Sequence, residues 1–217
     1  GMQSALHSGS GENGQGRATN VVGYNSPDYS GFSVAATYSF DEDCGLPNNS
    51  NATTTACAAD DDSYSLGARY NTGPILVFAD YLTNDNGGDD DAWKVGGSYA
   101  LGDFTVYGQY ENDGGLLSAV IDPNNVVNTE NRVADGFDIW HVAGSYTMGN
   151  AMLYAGYGQG DDRSVGGVDM NSEYDAWTLA GMYNFSQRTL AYMGYSVIDF
   201  DEFGEDEQLS IGLRHKF

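Results

Sequence analysis

Leu209-Ser-Ile-Gly-Leu-Arg-His-Lys-Phe217 brings the sequence to an aromatic ring. Successive side chains of an extended backbone point to opposite sides, so Leu209, Ile211, Leu213, His215 and Phe217 share one side. Ser210, Gly212, Arg214 and Lys216 share the other. One side suits hydrocarbon and the other suits water. A soluble sheet that happens to close on Phe has the same local pattern, so the preceding segments must separate the two readings.

Those segments repeat the unit. Arg17–Tyr24 alternates, passes the turn cluster Asn25-Ser-Pro-Asp-Tyr-Ser-Gly31 and resumes through Phe32, Val34, Ala36, Tyr38 and Phe40. Strands are then expected at Tyr64–Tyr70 and Ile75–Leu82, at Trp93–Tyr99 and Phe104–Tyr110, at Ile139–Tyr146 and Met152–Gly158, and at Trp177–Tyr183 and Thr189–Ile198. With Leu209–Phe217 the count is eleven. Short turns such as Asn71-Thr-Gly-Pro74, Leu101-Gly-Asp103 and Met148-Gly-Asn150 alternate with long polar connections at 40–63, 83–91, 111–137, 159–175 and 199–207. Outer-membrane barrels place all their long loops at one end in this way; a soluble sandwich has no reason to.

Near the end of each strand one ring falls on the apolar side: Tyr24, Tyr38, Tyr70, Tyr81, Tyr99, Tyr110, Tyr146, Tyr157, Tyr183, Tyr195 and Phe217. Antiparallel strands put these rings at two levels, as two interfacial girdles require. Between them the same side carries Val22, Val34, Leu66, Val77, Val95, Val106, Leu153 and Leu179. Cross-strand pairing in a soluble sheet would explain rings alone. It would need a second layer to cover the apolar residues, and no helical pattern is left to supply one.

Composition agrees. Thirty glycines, sixteen tyrosines and four prolines in 217 residues argue against a helical protein. No run of 18 apolar residues exists, which excludes a membrane-spanning helix but not a barrel, whose strands cross with about 9–11 alternating residues. A mean hydropathy of −0.41 is compatible with such alternation. Of the 31 acidic residues behind the net charge of −23, all but Glu12, Asp28, Asp80 and Asp103 lie in or beside the long connections. Six of the eight cations are scattered along the strand segments, only Arg214 and Lys216 sharing one, which argues against a nucleic-acid patch.

If the apolar side faces lipid, the opposite side carries Arg17, Arg69, Lys94, His141, Arg188, Arg214 and Lys216 among Ser, Thr, Gly and Ala. A charge facing mid-bilayer would cost about 2–4 kcal/mol, so this segregation is what a water-filled lumen demands. The acidic runs Asp60-Asp-Asp62, Asp89-Asp-Asp91 and Asp201-Glu202 lack the spacing of a calcium loop, and no metal site is expected. Cys44 and Cys57, in one polar loop, are expected to form a local disulfide in an oxidising compartment. No nucleophile, phosphate-loop or zinc-protease motif occurs, and no cofactor or catalytic residue is expected. The one His–carboxylate pair worth weighing is His141 with Asp138. Three residues apart on a strand, they point to opposite faces.

The ending Gly212-Leu-Arg-His-Lys-Phe217 resembles that of the general diffusion porins of Gram-negative bacteria, the neisserial type especially. Arg17, the strand ending Gly23-Tyr-Asn-Ser-Pro27 and the following Gly31-Phe-Ser33 resemble the porin hairpin that follows the loop folded into the pore. The resemblance runs from Arg17 to Phe217 and corresponds to roughly the later two-thirds of a sixteen-stranded barrel. It implies an all-β, antiparallel, up-and-down transmembrane β-barrel, with residues 1–16 as the remnant of a pore loop and 17–217 as barrel strands. Upstream strands are expected to complete the closure, although a strand hidden in 1–16 or 115–130 would make twelve. The implied function is passive diffusion of small hydrophilic solutes and ions across the outer membrane, without enzymatic chemistry.

The implied partners are outer-membrane lipid and lipopolysaccharide, two further copies in a homotrimer, and the barrel assembly machinery that reads Phe217. Arg17 takes the place of a constriction arginine. The opposing carboxylates depart from the family, since only Glu12 precedes Arg17 and Asp80 is a second candidate whose facing depends on register. The competing readings are an outer-membrane barrel protease or lipase with its site among the long loops, and a soluble β-sandwich binding module.

Overall fold

The computed structural model describes residues 21–39, 63–84, 91–113, 137–162, 164–165, 168–169, 171, 173–201 and 204–217. Glu12, Arg17, Cys44, Cys57 and the segment 115–130 lie outside them. The strands are β1 (Val21–Asn25), β2 (Phe32–Ser39), β3 (Ser63–Thr72), β4 (Ile75–Asn84), β5 (Asp91–Leu101), β6 (Phe104–Asp113), β7 (Phe137–Met148) and β8 (Ala151–Gly160). There follow β9 (Ser164–Val165), β10 (Val168–Asp169), β11 (Tyr174–Asn184), β12 (Thr189–Phe200) and β13 (Gly204–His215). Eleven of them form one sheet in chain order, every neighbour antiparallel; β9 and β10 make a separate two-stranded hairpin inside the β8–β11 connection. Each of the eleven expected strands is present, which is an up-and-down sheet.

Turn chemistry fixes the short ends. In the two-residue turns Gly73-Pro74, Gly102-Asp103 and Gly149-Asn150 the first residue is Gly with φ of 52°, 61° and 56°. That is the type II′ arrangement, whose backbone twist matches the flanking strands and which only Gly enters without strain.

The long ends differ from the sequence expectation. Backbone pairing carries β12 to Phe200 and starts β13 at Gly204, with Phe200 opposite Gly204. The connection expected at 199–207 is therefore only 201–203, and Glu205, Asp206 and Glu207 are strand residues. Acidic side chains mark the height at which a strand leaves the apolar zone, not the point at which its ladder ends. At its other end β13 stops at His215, although the Lys216 amide still donates to the Arg188 carbonyl at 2.9 Å.

Cross-strand partners share a face, so the register assigns every side chain. One face, the aromatic face, holds the pairs Val22–Tyr38, Leu66–Tyr81, Ala79–Val95, Tyr99–Val106, Val142–Tyr157, Leu179–Tyr195 and Met193–Ile211. Its aliphatic residues stand open, Val22 at 63%, Leu66 at 58% and Ile211 at 72% exposure. No second layer covers them among the described residues. The largest buried side chain below 2% exposure is Glu111, on the opposite face, so the sheet has no conventional apolar core there.

Candidate functional site: the two faces of the sheet

The aromatic face is ordered into two rows. At the short-turn end stand Tyr24, Tyr70, Tyr99, Tyr146 and Tyr183, with Phe32 directly opposite Tyr70 and Phe104 directly opposite Tyr146. Phe217 lies past β13, fully exposed, with its ring 4.9 Å from His215 in edge contact. At the long-connection end stand Tyr38, Tyr81, Tyr110, Tyr157 and Tyr195, each seventh in a strand that leaves a short turn.

All three tryptophans join that second row, which sequence reasoning missed. Trp93 faces Tyr81, Trp140 faces Tyr110 and Trp177 faces Tyr157. Each also packs on the next tyrosine: Trp93–Tyr110 at 5.3 Å, Trp140–Tyr157 at 5.5 Å and Trp177–Tyr195 at 5.5 Å between ring centres. The available signal was a repeated Asp-x-Trp at Asp91-Ala-Trp93, Asp138-Ile-Trp140 and Asp175-Ala-Trp177, in each case as the chain re-enters the sheet.

Two aspartates of that repeat, Asp138 and Asp175, cap the row from the loop side. Asp138 accepts from the Tyr110 hydroxyl at 2.6 Å and from Asn112 Nδ2 at 2.5 Å. Asp175 accepts from the Tyr157 hydroxyl and from Gln159 Nε2, both at 2.5 Å. Antiparallel pairing of Tyr-x-Asn/Gln against Asp-x-Trp produces each clasp. Asp138 and His141 stand on opposite faces, so the only His–carboxylate pair considered for catalysis is not assembled.

The polar face carries the charge. Gly67 faces Asp80, Asp80 faces Lys94, and Lys94 faces Glu111. Arg69 is two residues from Gly67 on the same face, and Arg69, Asp80 and Lys94 line one open cavity of about 510 Å³. Side chains directly opposite have Cβ atoms about 4.5–5.5 Å apart, so charges of alternating sign run across β4, β5 and β6, with Arg69 of β3 diagonal to Asp80. His141 also belongs to this face, opposite Gln109 and Gly158. Arg214 is opposite Leu190 near the short-turn end, Arg188 lies in the β11–β12 turn, and Lys216 follows β13. These last three form a rim group, well away from the Arg69–Glu111 strip. Among the described residues no three His, Cys, Asp or Glu side chains group as metal ligands.

The expectation that small side chains fill the rest of this face needs correction. Phe78, Tyr107, Tyr154 and Tyr192 occupy it, each the fourth residue of a strand leaving a short turn. They lie down over small neighbours: a Cβ on Gly96 would come within 2.6 Å of the Phe78 ring, and one on Gly212 would collide with Tyr192. The Tyr107 hydroxyl is 3.1 Å from Ser145 Oγ. Glycine on one strand thus makes room for a ring from the next, which period-two alternation within a single strand does not reveal.

The sequence profile of Gram-negative porins matches residues 1–202. No curated protein matches the chain significantly. Among solved structures it is similar to a loop L8 deletion mutant of OmpT, an outer membrane protein of Vibrio cholerae, with a TM-score of 0.61 and 22% identity over 90% of this chain and 62% of that one. A porin refined at 1.8 Å gives a TM-score of 0.62 and 16% identity over 91% of this chain and 60% of that one. A mutant of the Rh. blastica porin gives 0.58 and 20% identity over 93% and 57%. At these identities the likeness concerns the fold, and it makes the sheet a stretch of porin β-barrel wall. The chain spans 62% and 60% of the length of the first two. The family match ends before β13 begins and so does not draw on the terminal Phe; it rests on the strands and connections ahead of it, and this chain belongs to the Gram-negative porin family.

Proposed function

We propose that the chain forms part of the wall of a water-filled outer-membrane channel, through which small hydrophilic solutes and ions diffuse passively, with no catalytic step. The observation that carries this is the segregation of the two faces. The aromatic face combines open aliphatic residues with ring rows at two heights, as a lipid-facing wall bounded by two interfaces requires. The polar face carries Arg69, Asp80, Lys94, Glu111 and His141, which need water or one another and would be costly in hydrocarbon.

In this reading the polar face lines the lumen and selection is by size and electrostatic bias. The net charge of −23 favours cations at the mouth. Arg17 is proposed as a constriction arginine, with Glu12 or Asp80 as the candidate opposing carboxylate, and Cys44 and Cys57 are proposed to close a loop by a disulfide. A homotrimer is proposed as the working assembly, since a trimer form of OmpT is among the structures it resembles. Outer-membrane lipid and lipopolysaccharide surround it, and Phe217, open at the chain's last ring, is the element offered to the barrel assembly machinery.

The test is conductance in a planar bilayer under a salt gradient, on the full-length protein extracted from outer membranes in detergent. Stable steps with a reversal potential on the cation side are expected. Protein that is folded by circular dichroism yet never conducts would sink the channel reading.

A further inference from the structure

We propose that Asp80, Lys94 and Glu111 act as one selectivity element, in which the Lys94 charge is cancelled from both sides and withheld from passing anions. This rests on the polar face being a lumen wall. The sequence alone presents Lys94 as a lone lumen cation, and by that count the strand wall is basic. The register says otherwise. Lys94 has a carboxylate directly opposite on each neighbouring strand, Asp80 on β4 and Glu111 on β6. Asp80 in turn shares its cavity with Arg69.

Two features make the arrangement more than a list of wall charges. Glu111 is only 1% exposed, and a carboxylate so enclosed is retained only beside compensating charge or donors. Asp80 is open to the cavity, so its charge is felt by whatever passes. Glycine also gives the carboxylate its place, since a Cβ on Gly67 would stand 2.6 Å from Asp80 Oδ1. With Arg69 the strip sums to zero, and it leaves the sign of the pore to the acidic connections.

The consequence is a sign that reverses with the residue removed. Asp80→Asn uncovers basic charge and should lower the cation-to-anion permeability ratio by about sevenfold, the opposite effects on cation and anion of one elementary charge at roughly 7 Å in water. Lys94→Gln should raise the ratio by a similar factor, and the double variant should return it to near the parent value. Neutral replacements of similar size keep the wall intact, and the heat-induced shift in gel mobility of each variant reports folding independently.

The experiment is reversal potential under a potassium chloride gradient on the full-length protein and these three variants. Opposite shifts in the single variants and compensation in the double variant are the expected result. A conducting parent whose ratio is unmoved by either single change overturns the selectivity element and leaves the channel intact. A folded parent that does not conduct overturns the channel reading, and this proposal with it.

Discussion

Adjacent residues on β11 put the two faces to a direct test. Leu179 stands on the aromatic face at 55% exposure, while Thr178 stands on the polar face between Gly156 and Ser196. Leu179→Arg should destabilise the protein by about 2–4 kcal/mol in urea unfolding from lipid vesicles, the cost of a cation near mid-bilayer. Thr178→Arg should cost well under half as much, because its guanidinium stays in the water-facing side. A larger cost for Thr178→Arg would mean that the faces have been assigned the wrong way round, and equal costs that neither meets lipid. The Asp138 clasp gives a second residue-level expectation. Asp138→Ala removes the acceptor of two hydrogen bonds in a half-buried position and should cost about 2 kcal/mol in the same assay. Asp138→Asn, which keeps one acceptor oxygen, should recover part of that loss.

Among the elements, the two-residue hairpins are the most demanding in sequence. Gly149 holds φ at 56°, where a side chain with a branched Cβ is forced against the backbone. Gly149→Val should lower stability by roughly 1–2 kcal/mol and slow insertion into detergent micelles, followed by the heat-induced mobility shift. Asn150→Ala, at the neighbouring position without that conformation, should leave both nearly unchanged. The β12–β13 hairpin shows the opposite kind of control. Its strands run on through Asp199, Glu205 and Glu207 because the ladder needs only backbone groups, and these side chains sit beyond the aromatic row where water is available. Charge therefore reports membrane height there, and reading it as a loop boundary shortens the strands.

On the scale of the whole molecule, the sheet leaves its aromatic face open from β1 to β13. An apolar surface of that extent does not persist in water. The chain should precipitate or associate non-specifically in plain buffer, and acquire a β-type circular dichroism signal only with detergent or lipid. A monodisperse β-rich monomer in buffer would favour a soluble sandwich instead. Partners for the outer edges of β1 and β13 are a matter for the complete barrel, and each described interior strand is already paired on both sides.

Much of this was legible along the chain. Eleven strands, their alternation, both ring levels and the glycine turns were readable because each depends on residues within a few positions of one another. The Leu209–Leu213 pattern and the Gly149 turn need no distant partner. The same local logic puts Arg69, Lys94, His141 and Arg214 on one side by parity within each strand, as the register does, but says nothing of what stands across from them. Lys94 was visible as a cation and Asp80 as a carboxylate of uncertain facing; only pairing of β4, β5 and β6 set them opposite one another and added Glu111. The tryptophan row, the Asp138 clasp and the rings laid over Gly96 and Gly212 likewise join residues from different strands. Sequence by itself determined the strands, their two faces and the kind of surface each face presents, because period two and turn conformation are properties of short segments. The tertiary structure alone decided which side chains oppose each other, because register across strands is set by pairing between segments that lie far apart in the chain.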